Sequence, residues 1–221
     1  MSETDYAKAR RSMVDSQLLP NRITDDRIIA TMSELPRELF VPASKRALAY
    51  ADESILIEGG RSMMQPMIVA RLLEVADIAA SDVALCIGAG GGYTVAVIAK
   101  LAETVVAVES ENALRQKAEK TLSELGIDNA AVIDGTLTEG HASDAPYDVI
   151  VFDGAVPEVP AEIAKQLSDG GRLVAVELPP SRTVGQGVLV TRFGDSISKR
   201  EVFDAAEPLL PGFEKEAAFT F

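Results

Sequence analysis

The chain of 221 residues has little cysteine and little histidine, since Cys86 and His141 are the single examples of each. One cysteine excludes an internal disulfide and a cysteine-based zinc cluster. One histidine removes most histidine-based metal sites and weakens any serine–histidine–aspartate arrangement. We therefore predict no bound metal, and we expect Cys86 to be a small buried residue rather than a nucleophile.

Positive charge is also scarce, because 21 lysines and arginines stand against 34 aspartates and glutamates and give a formal net charge of −13. Nonspecific binding of DNA or RNA needs cations that neutralise phosphates, so we predict no nucleic-acid partner. No apolar run approaches the roughly 20 residues of a membrane span. The opening MSETDYAKARR lacks the apolar core of a signal peptide. We expect a cytoplasmic protein without a membrane partner.

Hydrophobic residues make up 47% of the chain, which argues against disorder over most of its length. Apolar runs of strand length alternate with helix-like segments from residue 83 onwards. The predicted strands are 83–87, 104–108, 130–134, 147–153 and 172–177, followed by a hairpin of 187–192 and 198–203 and a last half-buried strand around Phe219 and Phe221. The predicted helices are 6–19, 24–33 with Thr24 as its cap, 66–75, 93–101, 111–125 and 162–167.

The first strand of the alternating region leads into a glycine cluster, Gly88-x-Gly90-x-Gly92, and a helix follows it. A strand, a glycine turn and a helix in this order present backbone N–H groups to a nucleotide-like ligand. The dinucleotide pattern would need its third glycine at position 93, which is Tyr93. The spacing fits S-adenosylmethionine better, because glycine lets the ligand approach the backbone closely. A tight turn without a ligand is the alternative.

Acidic residues end two of the predicted strands. Glu109 follows the second strand, about 20 residues beyond the glycine turn, where a carboxylate binds both hydroxyls of a ribose. An exposed acid at a strand end is the alternative for Glu109. Asp153 ends the fourth strand, at the carboxyl edge where ligands of such sheets bind. It would face the methyl donor or acceptor, or it would cap the next helix.

Several motifs along nearly the whole chain resemble those of one family, the protein-L-isoaspartate O-methyltransferases. They are MVDSQL (13–18), PRELFVP (36–42), AYAD (49–52), IGAGGGY (87–93) and AVPEVP (155–160). The resemblance implies a Rossmann-like class I methyltransferase with a doubly wound, mostly parallel seven-stranded sheet, a C-terminal antiparallel hairpin and an N-terminal helical segment. It implies a single domain over 1–221, in which 1–78 form the helical and acceptor-loop segment and 79–221 the cofactor-binding core.

The family resemblance also assigns site residues. The family's threonine-isoleucine-serine segment aligns with Ser62-Met63-Met64, so Ser62 and Met64 are the predicted acceptor-site residues. A loop serine and plain apolar packing are the alternatives for them. Asp134 or Thr136 would contact the adenine, in place of the acid in the family's glycine-aspartate-glycine segment. Arg61 would pair with an acceptor carboxylate or stay solvated. Surface positions are expected for His141, Glu38, Asp52 and Asp144.

The implied activity is methyl esterification of isoaspartyl carboxylates in damaged proteins, with S-adenosylmethionine as cofactor and S-adenosylhomocysteine as product. A carboxylate acceptor is ionised at pH 7 and needs no general base. One alternative is a homologue that has lost repair activity and methylates another acceptor, or acts as a noncatalytic binding or regulatory protein. A dehydrogenase is disfavoured by the glycine spacing and the hairpin. Isoaspartyl-containing proteins are the expected partners, and the chain would be a monomer or a weak homodimer.

Overall fold

The computed structural model describes residues 2–214, so the strand predicted around Phe219 and Phe221 lies outside the described residues. The α-helices are α1 (Glu3–Met13), α2 (Asp26–Glu34), α3 (Pro66–Ala76), α4 (Tyr93–Ala99), α5 (Asn112–Glu124) and α6 (Ala161–Ala164). The strands are β1 (Ile55–Leu56), β2 (Ser62–Met63), β3 (Val83–Ile87), β4 (Thr104–Glu109), β5 (Ala130–Asp134), β6 (Tyr147–Val156), β7 (Leu167–Glu177), β8 (Gly185–Phe193) and β9 (Ser196–Ala205).

Seven strands form the main sheet in the order β5-β4-β3-β6-β7-β8-β9. Strands β3 to β7 pair parallel with one another, whereas β8 pairs antiparallel with β7 and β9 pairs antiparallel with β8 as a hairpin. The predicted mostly parallel sheet with a C-terminal hairpin is confirmed. The central strand β3 is almost wholly apolar because helices cover both faces of such a sheet. The carboxyl ends of the parallel strands meet at one edge, where the predicted site residues lie.

The fourth strand of the alternating region is longer than predicted. Strand β6 continues past Asp153 to Val156, because Ala155 pairs with Val176 of β7 after a local irregularity in the register. Asp153 therefore lies within the strand and does not cap a helix. The following helix is shorter than predicted, since Leu167 already pairs with Tyr147 in the sheet.

The N-terminal helical segment is confirmed, but its first two helices differ in detail from the prediction. The first helix begins at Glu3 and gives way to a π-helix at Val14–Leu18. Asp25 caps α2 through its side chain, which accepts a hydrogen bond of 2.8 Å from the backbone N–H of Arg27. Thr24, the predicted cap, instead donates its hydroxyl to Glu74 over 2.5 Å. The core that this segment builds is continuous with the sheet, because Phe40 and Cys86 belong to one buried cluster. Within residues 2–214, no helix has the length and apolarity needed to cross a membrane.

Candidate functional site

The glycine turn between β3 and α4 lies at the carboxyl edge of the sheet. The backbone N–H groups of Gly88 and Ala89 donate to the carbonyl of Val108 over 2.9 and 3.1 Å, so the turn is joined to the end of β4. Gly88 has a φ of +83° and Gly92, which precedes α4, has a φ of +95°. L side chains rarely adopt this conformation, which explains glycine at both positions.

A segment from the N-terminal region covers this turn. A Cβ atom on Gly91 would lie 2.3 Å from the backbone carbonyl oxygen of Phe40, so glycine is required by close packing. The Phe40 ring also packs edge-on against Tyr93 of α4, with ring centroids 5.5 Å apart. The PRELFVP segment therefore shapes the site from above the turn, although it is distant in sequence.

Glu109 ends β4 and is fully buried beside the glycine turn. Its carboxylate accepts hydrogen bonds from the backbone N–H of Gly90 at 2.6 Å and from that of Glu111 at 3.1 Å. The sequence alternative of an exposed strand-end acid is therefore wrong. The role of Glu109 as a ribose ligand stays a prediction, and the position at the carboxyl edge is the one that role requires.

The Arg61 guanidinium is the ion-pair partner of this carboxylate. Its Nη1 atom donates to the two carboxylate oxygens of Glu109 over 2.9 and 2.8 Å, and its Nη2 atom donates to the Gly88 carbonyl over 3.0 Å. The Arg61 side chain is only 1% exposed. The expectation of a solvated arginine is wrong, because the β1–β2 hairpin carries Arg61 into the sheet edge. A contact of Arg61 with an acceptor carboxylate stays a prediction.

The predicted adenine contacts line an open cavity. Asp134 ends β5 and Thr136 lies two residues beyond it, and both are exposed. They line a cavity of about 400 Å³ together with Ser110, Gly135 and Pro211. The cavity lies next to Glu109, because Asp134 is the register partner of Glu109 between β4 and β5. It has the size and the place for the base of a nucleoside, and the contacts of Asp134 and Thr136 with adenine stay a prediction.

Asp153 lies on the other side of the glycine turn. It is 4% exposed, and the hydroxyl of Thr94 donates to its Oδ1 atom over 2.6 Å. Burial raises the pKa of Asp153 to about 7, while the Thr94 hydrogen bond and the Arg61 charge oppose that rise. The carboxyl group is therefore poised to change charge near neutral pH. Its other oxygen lies 3.6 Å from the position of a Cβ atom on Gly90, so Asp153 faces the turn.

Ser62 and Met64 lie on the loop that follows Arg61. Ser62 is half-buried in β2, whereas Met64 is 1% exposed and packs in the core. Both residues line a small cavity of about 10 Å³, together with Asp153 and Glu207. The structure thus brings the predicted acceptor residues next to Asp153, within a pocket that is almost closed. Their roles toward an acceptor stay a prediction.

Two buried charged residues that fix this loop were not among the predicted site residues. The guanidinium of Arg37 donates to the Met64 carbonyl and to the Ala49 carbonyl. Glu207 accepts from the backbone N–H of Gln65 over 3.0 Å. Burial lowers the pKa of Arg37 and raises the pKa of Glu207. The PRELFVP motif offered a signal for Arg37, whereas no local pattern marks Glu207.

The burial of the other residues singled out in the sequence agrees with the prediction in some cases and differs from it in others. Cys86 is fully buried in β3, as predicted, and burial raises the pKa of its thiol. Glu38 is not a surface acid: it is 7% exposed, and Arg10 and Tyr50 both donate hydrogen bonds to it. Asp52 and Asp144 are exposed, as expected. His141 is only partly exposed and lies 3.2 Å from Asp144.

Comparison with known sequences identifies relatives over most of the chain. The sequence model of the family described as protein-L-isoaspartate(D-aspartate) O-methyltransferase matches residues 9–189. The protein-L-isoaspartate O-methyltransferase of Koribacter versatilis is 42% identical over 171 residues, which are 77% of each chain. The protein of the same name from Roseiflexus castenholzii is 37% identical over 210 residues, which are 94% of each chain.

Solved structures agree with the sequence comparison. A structure of a protein-L-isoaspartate O-methyltransferase superposes with a TM-score of 0.80 at 25% identity, and the match covers 92% of this chain and 66% of that one. This chain thus spans about two thirds of the length of that protein. A Plasmodium falciparum structure of a putative enzyme of the same name, in complex with S-adenosyl-L-homocysteine, shares the fold with a TM-score of 0.76 at 19% identity over 91% and 97% of the two chains.

The sheet order, the antiparallel hairpin and the glycine turn beside an acidic strand end define a Rossmann-like class I methyltransferase. This confirms the predicted fold class. The family match over residues 9–189 and the identity of 37% over 94% of the chain make the assignment specific. The chain belongs to the protein-L-isoaspartate(D-aspartate) O-methyltransferase family.

S-adenosylmethionine is the cofactor that the class implies, and the residues at the sheet edge fit it. A carboxylate at the end of β4 and glycines that permit close approach suit a ribose, and the adjacent cavity of about 400 Å³ suits a base. One side chain stands against this fit, because a Cβ atom on Gly88 would lie 2.6 Å from Arg61 Nη2. The guanidinium thus fills space that close approach of a ligand to the backbone would use. The residues at the sheet edge fit the cofactor once the Arg61 guanidinium has left the Glu109 carboxylate.

Proposed function

We propose that the chain transfers a methyl group from S-adenosylmethionine to the carboxylate of isoaspartyl residues in proteins, giving a methyl ester and S-adenosylhomocysteine. One observation carries the proposal. In a member of this family, the carboxyl edge of the sheet places the glycine turn, Glu109 and the loop of Ser62 side by side. Its sequence relatives carry the name protein-L-isoaspartate O-methyltransferase, and a more distant structural relative was solved with S-adenosyl-L-homocysteine.

The residues on the donor side bind and orient the cofactor. When bound, S-adenosylmethionine supplies a methyl group that is already activated on a sulfonium, so the protein mainly contributes position and exclusion of water. Glu109 would accept hydrogen bonds from the ribose hydroxyls, and the glycines at 88 and 90 would let the ligand lie against the backbone. Asp134 and Thr136 line the cavity assigned to the adenine.

The residues on the acceptor side hold a carboxylate that needs no activation. An isoaspartyl carboxylate is ionised at neutral pH, so proton removal by a base is unnecessary. The hydroxyl of Ser62 donates to this carboxylate and orients it, while Met64 supplies an apolar wall that excludes water. The backbone of this loop is held by Arg37 and Glu207, which fixes where Ser62 points.

We also propose that the chain works in the cytoplasm on isoaspartyl-containing proteins, as a monomer or a weak homodimer. The net charge of −13 supports a function that needs no nucleic acid, because nucleic-acid phosphates would be repelled.

The test is transfer of an isotope-labelled methyl group by the full chain to an isoaspartyl peptide. The aspartyl isomer of that peptide is the specificity control, and an active enzyme of the family run alongside controls the assay. We expect label on the isoaspartyl peptide alone. Ser62→Ala should lower transfer while S-adenosylhomocysteine still binds, whereas Glu109→Gln should weaken that binding. No transfer while the control enzyme is active would contradict the proposal.

A further inference from the structure

The Glu109 carboxylate has no hydrogen-bonding capacity left for another ligand. It accepts two hydrogen bonds from Arg61, one from the N–H of Gly90 and one from the N–H of Glu111. Two carboxylate oxygens offer about four lone-pair positions. The two bonds from the guanidinium therefore use the acceptor positions that a pair of ribose hydroxyls would need.

The loop that carries Arg61 also covers the glycine turn beside this carboxylate. The Ile57 side chain lies 3.5 Å from the position of a Cβ atom on Gly90, so it sits directly on the turn. A Cβ atom on Gly59 would lie 2.9 Å from the Glu111 side chain. Residues 57–61, which we name the cover segment, thus lie across the donor side of the site from the glycine turn to the end of β4.

The attachments of the cover segment suit it to move. Its internal hydrogen bonds are few, and the shortest joins the N–H of Ile57 to the carbonyl of Arg61 at 2.7 Å. The hairpin around it pairs only two residues on each side. Gly59 and Gly60 have φ values of +64° and +71°, and a Cβ atom on Gly60 would meet nothing within 4 Å. Two adjacent glycines, of which Gly60 borders open space, form a natural hinge.

We propose, on the basis of the function proposed above, that Arg61 is an internal competitor of the methyl donor. Its guanidinium occupies the Glu109 carboxylate, and the ribose hydroxyls reach that carboxylate only when Arg61 has left it. Breaking the buried ion pair costs free energy and so opposes donor binding. The pair therefore lowers the affinity of the chain for its cofactor. Because Ser62 is the next residue, withdrawal of Arg61 also reshapes the acceptor side.

The first test is calorimetric titration of S-adenosylhomocysteine into the full chain and into two variants, Arg61→Ala and Arg61→Gln. Arg182→Ala is the matched control, since Arg182 also pairs with a glutamate, Glu201 at 3.0 Å, but on the surface. We expect both Arg61 variants to bind at least tenfold more tightly than wild type, and the control to bind like wild type. Circular dichroism confirms that each variant is folded, and the glutamine variant keeps the test available if the alanine variant is not.

Equal or weaker binding by a folded Arg61 variant would overturn the proposal, because Arg61 would then support the ligand or be irrelevant to it. Absence of binding by wild type and variants alike would overturn it as well, since an emptied carboxylate should accept the ribose. A crystal structure of wild type with S-adenosylhomocysteine is the second test. We expect the guanidinium to have left Glu109, and an intact pair beside the bound ligand would refute the competition.

The methyl-transfer assay separates this proposal from the function on which it is based. If the Arg61 variants bind S-adenosylhomocysteine more tightly but wild type transfers no methyl group, the competition of Arg61 with the donor is retained and the proposed activity is rejected. Transfer by wild type without any gain in affinity on removal of Arg61 would retain the activity and reject the competition.

Discussion

The buried pair of Arg61 and Glu109 makes a strong prediction about stability. The two side chains are 1% and 0% exposed, so removal of either one leaves an uncompensated charge in the interior. Breaking such a pair typically costs 3–5 kcal/mol. Glu109→Ala leaves the guanidinium and two backbone N–H donors without their partner. After Arg61→Ala, the carboxylate still accepts hydrogen bonds from the N–H groups of Gly90 and Glu111. We expect losses of about 4 kcal/mol and about 3 kcal/mol, respectively.

The assay is urea unfolding followed by far-ultraviolet circular dichroism, because the chain contains no tryptophan. The double variant should lose less than the sum of the single variants by at least about 1 kcal/mol, as expected for residues in contact. Arg182→Ala and Glu201→Ala form the control pair, whose side chains are 44% and 57% exposed. Each should cost under about 1 kcal/mol. Equally small losses at Arg61 and Glu109 would refute the buried pair and the competition built on it.

Three further predictions concern the rest of the site. Burial raises the pKa of Asp153 to about 7, above its unfolded value, so its stabilising contribution is complete below the unfolded pKa and is lost as pH rises through about 7. As the pH rises from 5 to 7, the free energy of unfolding of wild type, measured with urea, should fall by about 2 kcal/mol relative to that of Asp153→Asn. Gly91→Ala should cost about 2 kcal/mol, because its Cβ would lie 2.3 Å from the Phe40 carbonyl oxygen. Ser62→Ala should lower the turnover number for an isoaspartyl peptide more than it changes S-adenosylhomocysteine affinity, measured by kinetics and calorimetry.

Each of these has a control or a contradicting outcome. Parallel stability curves for wild type and Asp153→Asn would show that Asp153 is ionised throughout and would refute its raised pKa. Gly126→Ala is the control for Gly91, since its Cβ would meet nothing within 4 Å and only its φ of +66° is strained, at a cost of about 1 kcal/mol. Equal losses at both glycines would contradict close packing on Phe40. An unchanged turnover for Ser62→Ala would remove Ser62 from the acceptor site.

The parallel sheet and the place of the site follow from local sequence patterns. Short apolar runs alternating with helical segments predict a parallel sheet, and the carboxyl ends of its strands must share one edge. Gly88 and Glu109 fall at the ends of consecutive strands, so the sequence alone places them together. The length of the fourth strand was predicted less well, because the irregularity that extends it beyond Asp153 leaves no mark in the apolar pattern.

Partners across long sequence distances could not be predicted in the same way. Arg61 and Glu109 are 48 residues apart, and Gln65 and Glu207 are 142 apart. Charged residues are usually exposed, so statistics favour a surface position for Arg61 and Glu38, and only the packed hairpin and helices override that preference. The family resemblance marks the loop of Arg61 as functional, yet it gives no sign that the side chain turns inward onto the donor's carboxylate.

The most direct test of carboxyl methyl transfer is the chemical form of the product. The full chain is incubated with methyl-labelled S-adenosylmethionine and an isoaspartyl peptide, and the isolated peptide is then treated with mild alkali. A methyl ester hydrolyses and releases labelled methanol, whereas a methyl group on nitrogen or sulfur stays on the peptide. We predict that the label is released from the isoaspartyl peptide and that the aspartyl isomer carries none above background. Label that survives alkali, or equal labelling of the two isomers, would contradict isoaspartyl carboxyl methylation.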